Sequence, residues 1–155
     1  MRIKAALGRG LVVGAALTAT ACLNFRPAVQ APDFQVESVV ICRSVTSEGG
    51  LLEPVEAREE FPATDESVVC FVRIKGVSAD TWLRWKWYSP EGTLVRDSGR
   101  VPVATEGSYL ETVTAFDRLD FGPGVATRPT GQWTVAFFLE DALAGRRIFR
   151  LLPGL

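Results

Sequence analysis

Ser67 to Lys75 reads SVVCFVRIK, and Thr81 to Tyr88 reads TWLRWKWY. In the first stretch Val68, Cys70, Val72 and Ile74 alternate with Ser67, Val69, Phe71 and Arg73, and the first set is uniformly apolar. Successive side chains of a strand point to opposite faces, so that set is expected to face a core. In the second stretch Leu83, Trp85 and Trp87 fall on one side, with Trp82, Arg84, Lys86 and Tyr88 on the other. Both are strands, and Ser89-Pro90-Glu91-Gly92 ends the second with turn chemistry: proline pre-sets φ and glycine accepts positive φ.

The same pattern extends outward. Phe34 to Ser44, Thr93 to Asp97 and Tyr109 to Ala115 are strand candidates separated by turn residues. Gln132 to Glu140 (QWTVAFFLE) puts Trp133, Val135, Phe137 and Leu139 on one face. Asp141 to Gly145 then makes a tight connection to Arg146–Leu152, a terminal hairpin. No helical period is sustained over ten residues. The expectation is an all-β, antiparallel sandwich of about seven to eight strands over residues 34–153.

From Phe61 onward the order resembles immunoglobulin- or fibronectin-like sandwich domains. Cys70 in Val69-Cys70-Phe71, Trp85 fifteen residues later, and Gly131-Gln132-Trp133-Thr134-Val135 carry the resemblance. It implies an immunoglobulin-like β-sandwich, with one departure: Val135 stands where the second cysteine of a true immunoglobulin pair belongs. The chain also resembles small bacterial envelope domains that end in Gly-x-Trp-x-Val, a hairpin and an apolar last strand. That family supplies an architecture and no activity.

The 155 residues include 17 Lys plus Arg, 18 Asp plus Glu, and no His. No Ser-His-Asp triad, Cys-His pair or imidazole metal site can exist within this chain. The balance of charge offers no basic face for nucleic acid. Lys75 and Lys86 are the only lysines after residue 21, and Gly122-Pro123-Gly124 lacks the following Lys-Ser or Lys-Thr of a phosphate loop. Glu53, Glu56, Glu59 and Glu60 match no calcium-loop spacing and read as solvated acids on a connecting segment. The expectation is no enzyme, no cofactor and no metal.

Met1 to Arg9 carries Arg2, Lys4 and Arg9 and no acid, and Gly10 to Ala21 is uncharged and ends in small residues. This describes a signal peptide over residues 1–21, too short in its apolar part for the roughly 20 residues of a membrane-spanning helix. Leu17-Thr18-Ala19-Thr20-Ala21-Cys22 resembles the lipobox of bacterial lipoproteins, although Ala19 stands where leucine is usual. The resemblance implies acyl chains on Cys22 and a membrane-anchored lipoprotein of the cell envelope, facing the periplasm or exterior. It also implies the outer membrane where the host has one, since Leu23 is not the aspartate of inner-membrane retention. Ordinary secretion with cleavage at the same bond is the alternative. After residue 21 the chain holds 14 basic and 18 acidic residues, a net charge of −4. Anchoring then falls to the lipid, and residues 22–33, with Pro27 and Pro32, read as a tether reaching about 40 Å at ~3.3 Å per residue.

Three further groups of residues are candidates for a structural or functional role. Cys42 and Cys70 form a candidate disulfide closing a loop of about 28 residues, worth roughly 3 to 4 kcal/mol in the chain-entropy model; two buried thiols are the alternative. Trp82, Trp85, Trp87 and Tyr88 form the densest aromatic cluster. Trp85 and Trp87 belong to the core side, which leaves Trp82 and Tyr88 as glycan-binding candidates, or as rings packed on Arg84 and Lys86. Phe116 to Thr130 is the longest stretch without clear strand character, and Asp117, Arg118, Asp120, Phe121 and Arg128 make it a partner-binding loop or a structural crossover. The expected work is non-catalytic: recognising or scaffolding another envelope protein, with carbohydrate binding to peptidoglycan or exported polysaccharide as the alternative.

Overall fold

The structure is a computed structural model that describes residues 34–122 and 129–153. The segments read as a signal peptide and a tether, with Cys22, and also Arg128 lie outside the described residues. The described residues form ten strands: β1 (Gln35–Glu48), β2 (Leu51–Ala57), β3 (Glu60–Pro62), β4 (Ser67–Val77), β5 (Thr81–Tyr88), β6 (Leu94–Asp97), β7 (Val101–Val103), β8 (Leu110–Asp120), β9 (Gly131–Leu139) and β10 (Ala142–Leu152). They form a four-stranded sheet, β2-β1-β4-β8, and a six-stranded sheet, β3-β10-β9-β5-β6, with β7 also on β5. No helix among the described residues is long and apolar enough to cross a membrane. Within these sheets the orders β1-β4-β8 and β10-β9-β5-β6 match the A-B-E and G-F-C-C′ orders of the immunoglobulin sandwich.

The core sits between the sheets and follows the alternation of the sequence. Val68, Cys70, Val72 and Ile74 of β4 face Leu83, Trp85 and Trp87 of β5 and Trp133, Val135, Phe137 and Leu139 of β9. Each fully buried aliphatic or aromatic side chain contributes about 1.5–3 kcal/mol. Trp85 tilts against Phe137 with ring centroids 5.3 Å apart.

Four expectations need correction. The described residues form ten strands where about seven to eight are expected, because β2, β3 and β7 are short or acidic. Glu53 and Glu56 lie within β2 and Glu60 within β3, and they are ion-paired: Glu53 with Arg73, Glu56 with Arg43, Glu60 with Arg150. One pair is parallel, β3 beside β10. The final hairpin turns through Glu140-Asp141 alone, since Leu139 stands opposite Ala142. Finally, β8 runs on to Asp120 and pairs with β4 as far as Ser67, so the segment read as a loop begins as a strand.

The disulfide expectation is overturned. Cys42 and Cys70 are free thiols on adjacent strands, but Ile41 stands opposite Cys70 and Val69 opposite Cys42. Side-chain direction alternates along a strand, so this one-residue offset sends the two sulfurs to opposite faces of the sheet. Cys70 enters the main core, where it faces the indole N–H of Trp85, a buried donor without a geometrically formed hydrogen bond. Cys42 enters a second, smaller core with Val69 and Phe71. Burial pushes the Cys42 thiol up to about 11 and that of Cys70 higher still. Both are therefore protonated and inert at neutral pH. In the folded protein a thiol reagent is expected to label neither position; after denaturation without reductant it should label both. Failure to label them in denaturant would restore the bridge.

The second core exists because the β1–β2 hairpin folds back across the outside of its own sheet. Gly49 and Gly50 both hold positive φ, the requirement of a two-residue type I′ turn. Beyond Cys42 the hairpin brings Val45 and Leu52 over Val69 and Phe71. The Leu52 N–H donates to Thr114 Oγ1 on β8 at 3.1 Å, and Arg73 Nη2 bonds both Glu53 oxygens at 2.6 and 2.7 Å.

Candidate functional site

The described residues of the candidate partner-binding loop, Asp117, Arg118, Asp120 and Phe121, do not share one surface. Asp117 points into the sandwich, opposite the inward-facing Cys70. Its Oδ2 accepts the Trp87 indole N–H at 2.7 Å, and Arg96 of β6 bonds both oxygens at 2.9 and 2.6 Å. These bonds tie β8 of one sheet to β5 and β6 of the other. Arg118 and Asp120 lie on the outer side of β8, exposed, and pair with each other at 2.7 Å. Phe121 packs edge-on against Trp133, centroids 5.5 Å apart. Asp117 and Phe121 thus hold the fold together.

The aromatic candidates separate as well. Trp85 and Trp87 are fully buried. Trp82 and Tyr88 share the outer face of β5, but six residues of strand place them about 20 Å apart, too far to form one stacking platform. Arg100 covers Trp82, its guanidinium 4.4 Å from the ring centroid. Tyr88 alone opens onto a concave surface.

Two surfaces remain. The first is the free edge of the six-stranded sheet. β6 and β7 both pair only with β5, and Ser98-Gly99-Arg100 breaks the edge between them. The break leaves β5 satisfied: the Ser98 N–H donates to Trp85 O at 3.0 Å, and the Trp85 N–H donates to Ser98 Oγ at 2.9 Å. Beside it Arg84 Nε bonds Asp97 Oδ1 at 2.8 Å, and this guanidinium holds the Asp97 carboxyl down to about 2. Along this edge Leu94, Val95 and Val101 are exposed at 46%, 46% and 36%.

The second is a groove of about 370 Å³ at the β5–β6 turn, lined by Tyr88, Ser89, Pro90, Gly92, Gln132, Thr134 and Arg146. That volume lies at the small end of the ~300–1,000 Å³ typical of small-molecule sites. The turn is closed by the Gly92 N–H to Ser89 O and the Ser89 N–H to Thr93 O, both at 2.9 Å. No group of three or more Cys, Asp or Glu residues among those described is arranged to hold a metal ion.

Sequence reading missed Arg146, Gln132 and Thr134. The period-2 pattern of QWTVAFFLE does put Gln132 and Thr134 on the face opposite Trp133 and Val135. What the sequence lacks is the register that sets them beside Tyr88 and Arg146. Leu94 and Val95 were legible as strand residues, but strand order alone makes them an edge.

No family model and no curated protein matches the chain. Among solved structures it is similar to an immunoglobulin-like protein from Pseudomonas aeruginosa, at 16% identity and TM-score 0.46, over 80% of this chain and 99% of that one. A β-glucosidase from Listeria innocua matches at 10% identity and TM-score 0.49, over 80% of this chain and 16% of the enzyme. An alkylpurine DNA glycosylase from Pseudomonas fluorescens matches at 8% identity and TM-score 0.45, over 77% of this chain and 30% of that one.

Proposed function

We propose that the protein is a non-catalytic recognition module, moored to a bacterial envelope membrane by acyl chains on Cys22, that holds another envelope protein against its β6–β7 edge. The observation that carries this reading is the run of exposed Leu94, Val95 and Val101 on strands whose outer side has no neighbouring strand among the described residues. Exposed apolar side chains on an unpaired edge are a hazard that proteins usually blunt with charge or cover. An extended segment of a partner adds main-chain hydrogen bonds at such an edge and buries alternate side chains. The absence of histidine from the whole sequence supports a binding role over an acid–base one. Outer-membrane placement, where the host has that membrane, belongs to the same proposal.

A photo-reactive residue at Val95 is expected to give a discrete protein adduct in the native envelope. The same residue at Phe116, exposed on β8 of the opposite sheet, should give none. Equal adducts at both positions, or none at Val95, would remove the proposal. Val95→Asp should abolish the adduct of a probe at Leu94 while changing stability by less than about 0.5 kcal/mol, as exposed substitutions do.

A second reading, glycan binding, is favoured by one observation: Tyr88 lines a polar groove. Trp82 drops out of that reading, because its ring is already covered by Arg100.

A further inference from the structure

We propose that the Tyr88 groove takes an acidic saccharide, with Arg146 pairing to its carboxylate. This rests on the glycan reading and adds the charge of the ligand and the residue that recognises it.

Two registers fix the face on which the groove lies. Strand β9 runs between β5 and β10, and Lys86 and Arg146 both stand opposite Ala136. Neighbouring strands are ~4.8 Å apart, so the two cationic residues flank a buried alanine at a backbone separation of about 10 Å. Of this row Arg146 lines the groove. In the next row Thr134 lies between Tyr88 and Ile148, and beyond it Gln132 stands opposite Arg150. The groove therefore offers an aromatic ring, a hydroxyl, a carboxamide and a guanidinium within one open concavity. Glu91, in the turn above, is engaged by the Ser89 hydroxyl at 2.6 Å.

Charge selects the ligand. Arg84, Arg96 and Arg150 each pair with a carboxylate. Among the described residues no ion pair reaches Arg146 or Lys86; the Lys86 ammonium lies 5.3 Å from the centre of the Phe138 ring. The chain after residue 21 has a net charge of −4, and Lys86 stands opposite Asp97 of β6, which leaves Arg146 as the cation of this face with no carboxylate paired to it among the described residues. A guanidinium presents a planar fork that matches a carboxylate in a bidentate way. Thr134 and Gln132 supply donors and acceptors suited to sugar hydroxyls, and Tyr88 supplies a flat apolar face. A neutral sugar would satisfy the same three groups and leave the guanidinium in water.

Digalacturonate and its dimethyl ester are suitable probes, titrated into the full chain in detergent while the amide resonances of Gln132, Thr134 and Arg146 are followed. Digalacturonate is expected to shift these resonances saturably, and the ester to bind at least tenfold more weakly. Arg146→Gln and Tyr88→Ala should each weaken the acid at least tenfold, with Arg118→Gln on the opposite sheet unchanged. Ester binding as tight as the acid, or no effect of Arg146→Gln, would overturn the acidic preference and leave the glycan reading standing. Absence of binding by both sugars would overturn both. An equal response to acetate alone would reduce the site to an anion contact and overturn the saccharide.

Discussion

Asp117→Ala is expected to cost about 3–5 kcal/mol of folding stability, the usual consequence of removing one partner from a buried hydrogen-bonded ion pair. The side chain of Asp117 is only 10% exposed, and among the described residues it is the acceptor of the Trp87 indole N–H. Without it that donor stays buried and unsatisfied, a penalty of about 1–3 kcal/mol. Two charge-assisted bonds from Arg96 go as well. Arg96 is 41% exposed and recovers part of its loss by turning to water. For a domain near 120 residues the change lowers Tm by about 12–20 °C. Asp117→Asn keeps an acceptor for the indole and should lose roughly half as much. Urea denaturation of both variants checks the order, and a loss below 1 kcal/mol in Asp117→Ala would show that the latch is not structural.

That latch explains why Asp117 was misread. In FDRLDFGPG the acids and arginine have the look of a solvated loop, and an inward carboxylate on a strand breaks the alternation that marks strands. Its meaning depends on a partner twenty-one residues away on another sheet, which no local pattern carries. The alternation of β4, β5 and β9, by contrast, is a property of each strand alone, and it placed Val68, Trp85 and Phe137 correctly.

Cys42 illustrates the same division between local and distant information. Its residue type and burial were readable from VVIC, but the face it occupies depends on pairing with Val69 rather than Cys70. A one-residue change of register reverses every side chain, so a disulfide between strands is decided by a quantity the sequence does not display. The outer face of β4 was misleading for a related reason. Val69 and Phe71 look like surface residues of a one-sided sheet until the β1–β2 hairpin covers them. The candidate site suffers most, because both the groove and the edge arise from strand order: Tyr88 and Arg146 are separated by 58 positions and joined only through β9.

Phe149→Ala is expected to cost about 3–5 kcal/mol, and to loosen one strand before the rest. The Phe149 ring stacks on Trp133 with centroids 6.2 Å apart and meets Trp87 and Phe61 edge-on at 6.0 and 5.8 Å. Each such aromatic pair adds about 0.5–1.5 kcal/mol beyond area burial, and the cavity left by the ring is enclosed by large rigid side chains that cannot collapse into it. Phe61 sits on β3, a strand of only three residues held beside β10. Its backbone support is slight: the Arg150 N–H to Glu59 O at 2.8 Å and the Ala63 N–H to Leu152 O at 2.9 Å flank the pairing. Side-chain packing on Phe149 therefore carries much of the attachment of β3. In the variant, hydrogen exchange at Ala63 and Arg150 should accelerate beyond the global loss, whereas amides of β4 follow the global value. Ile148→Ala, one residue earlier and exposed, should change stability by less than about 0.5 kcal/mol. Uniform acceleration across β3 and β4 would show that the short strand is held by its hydrogen bonds and not by the ring.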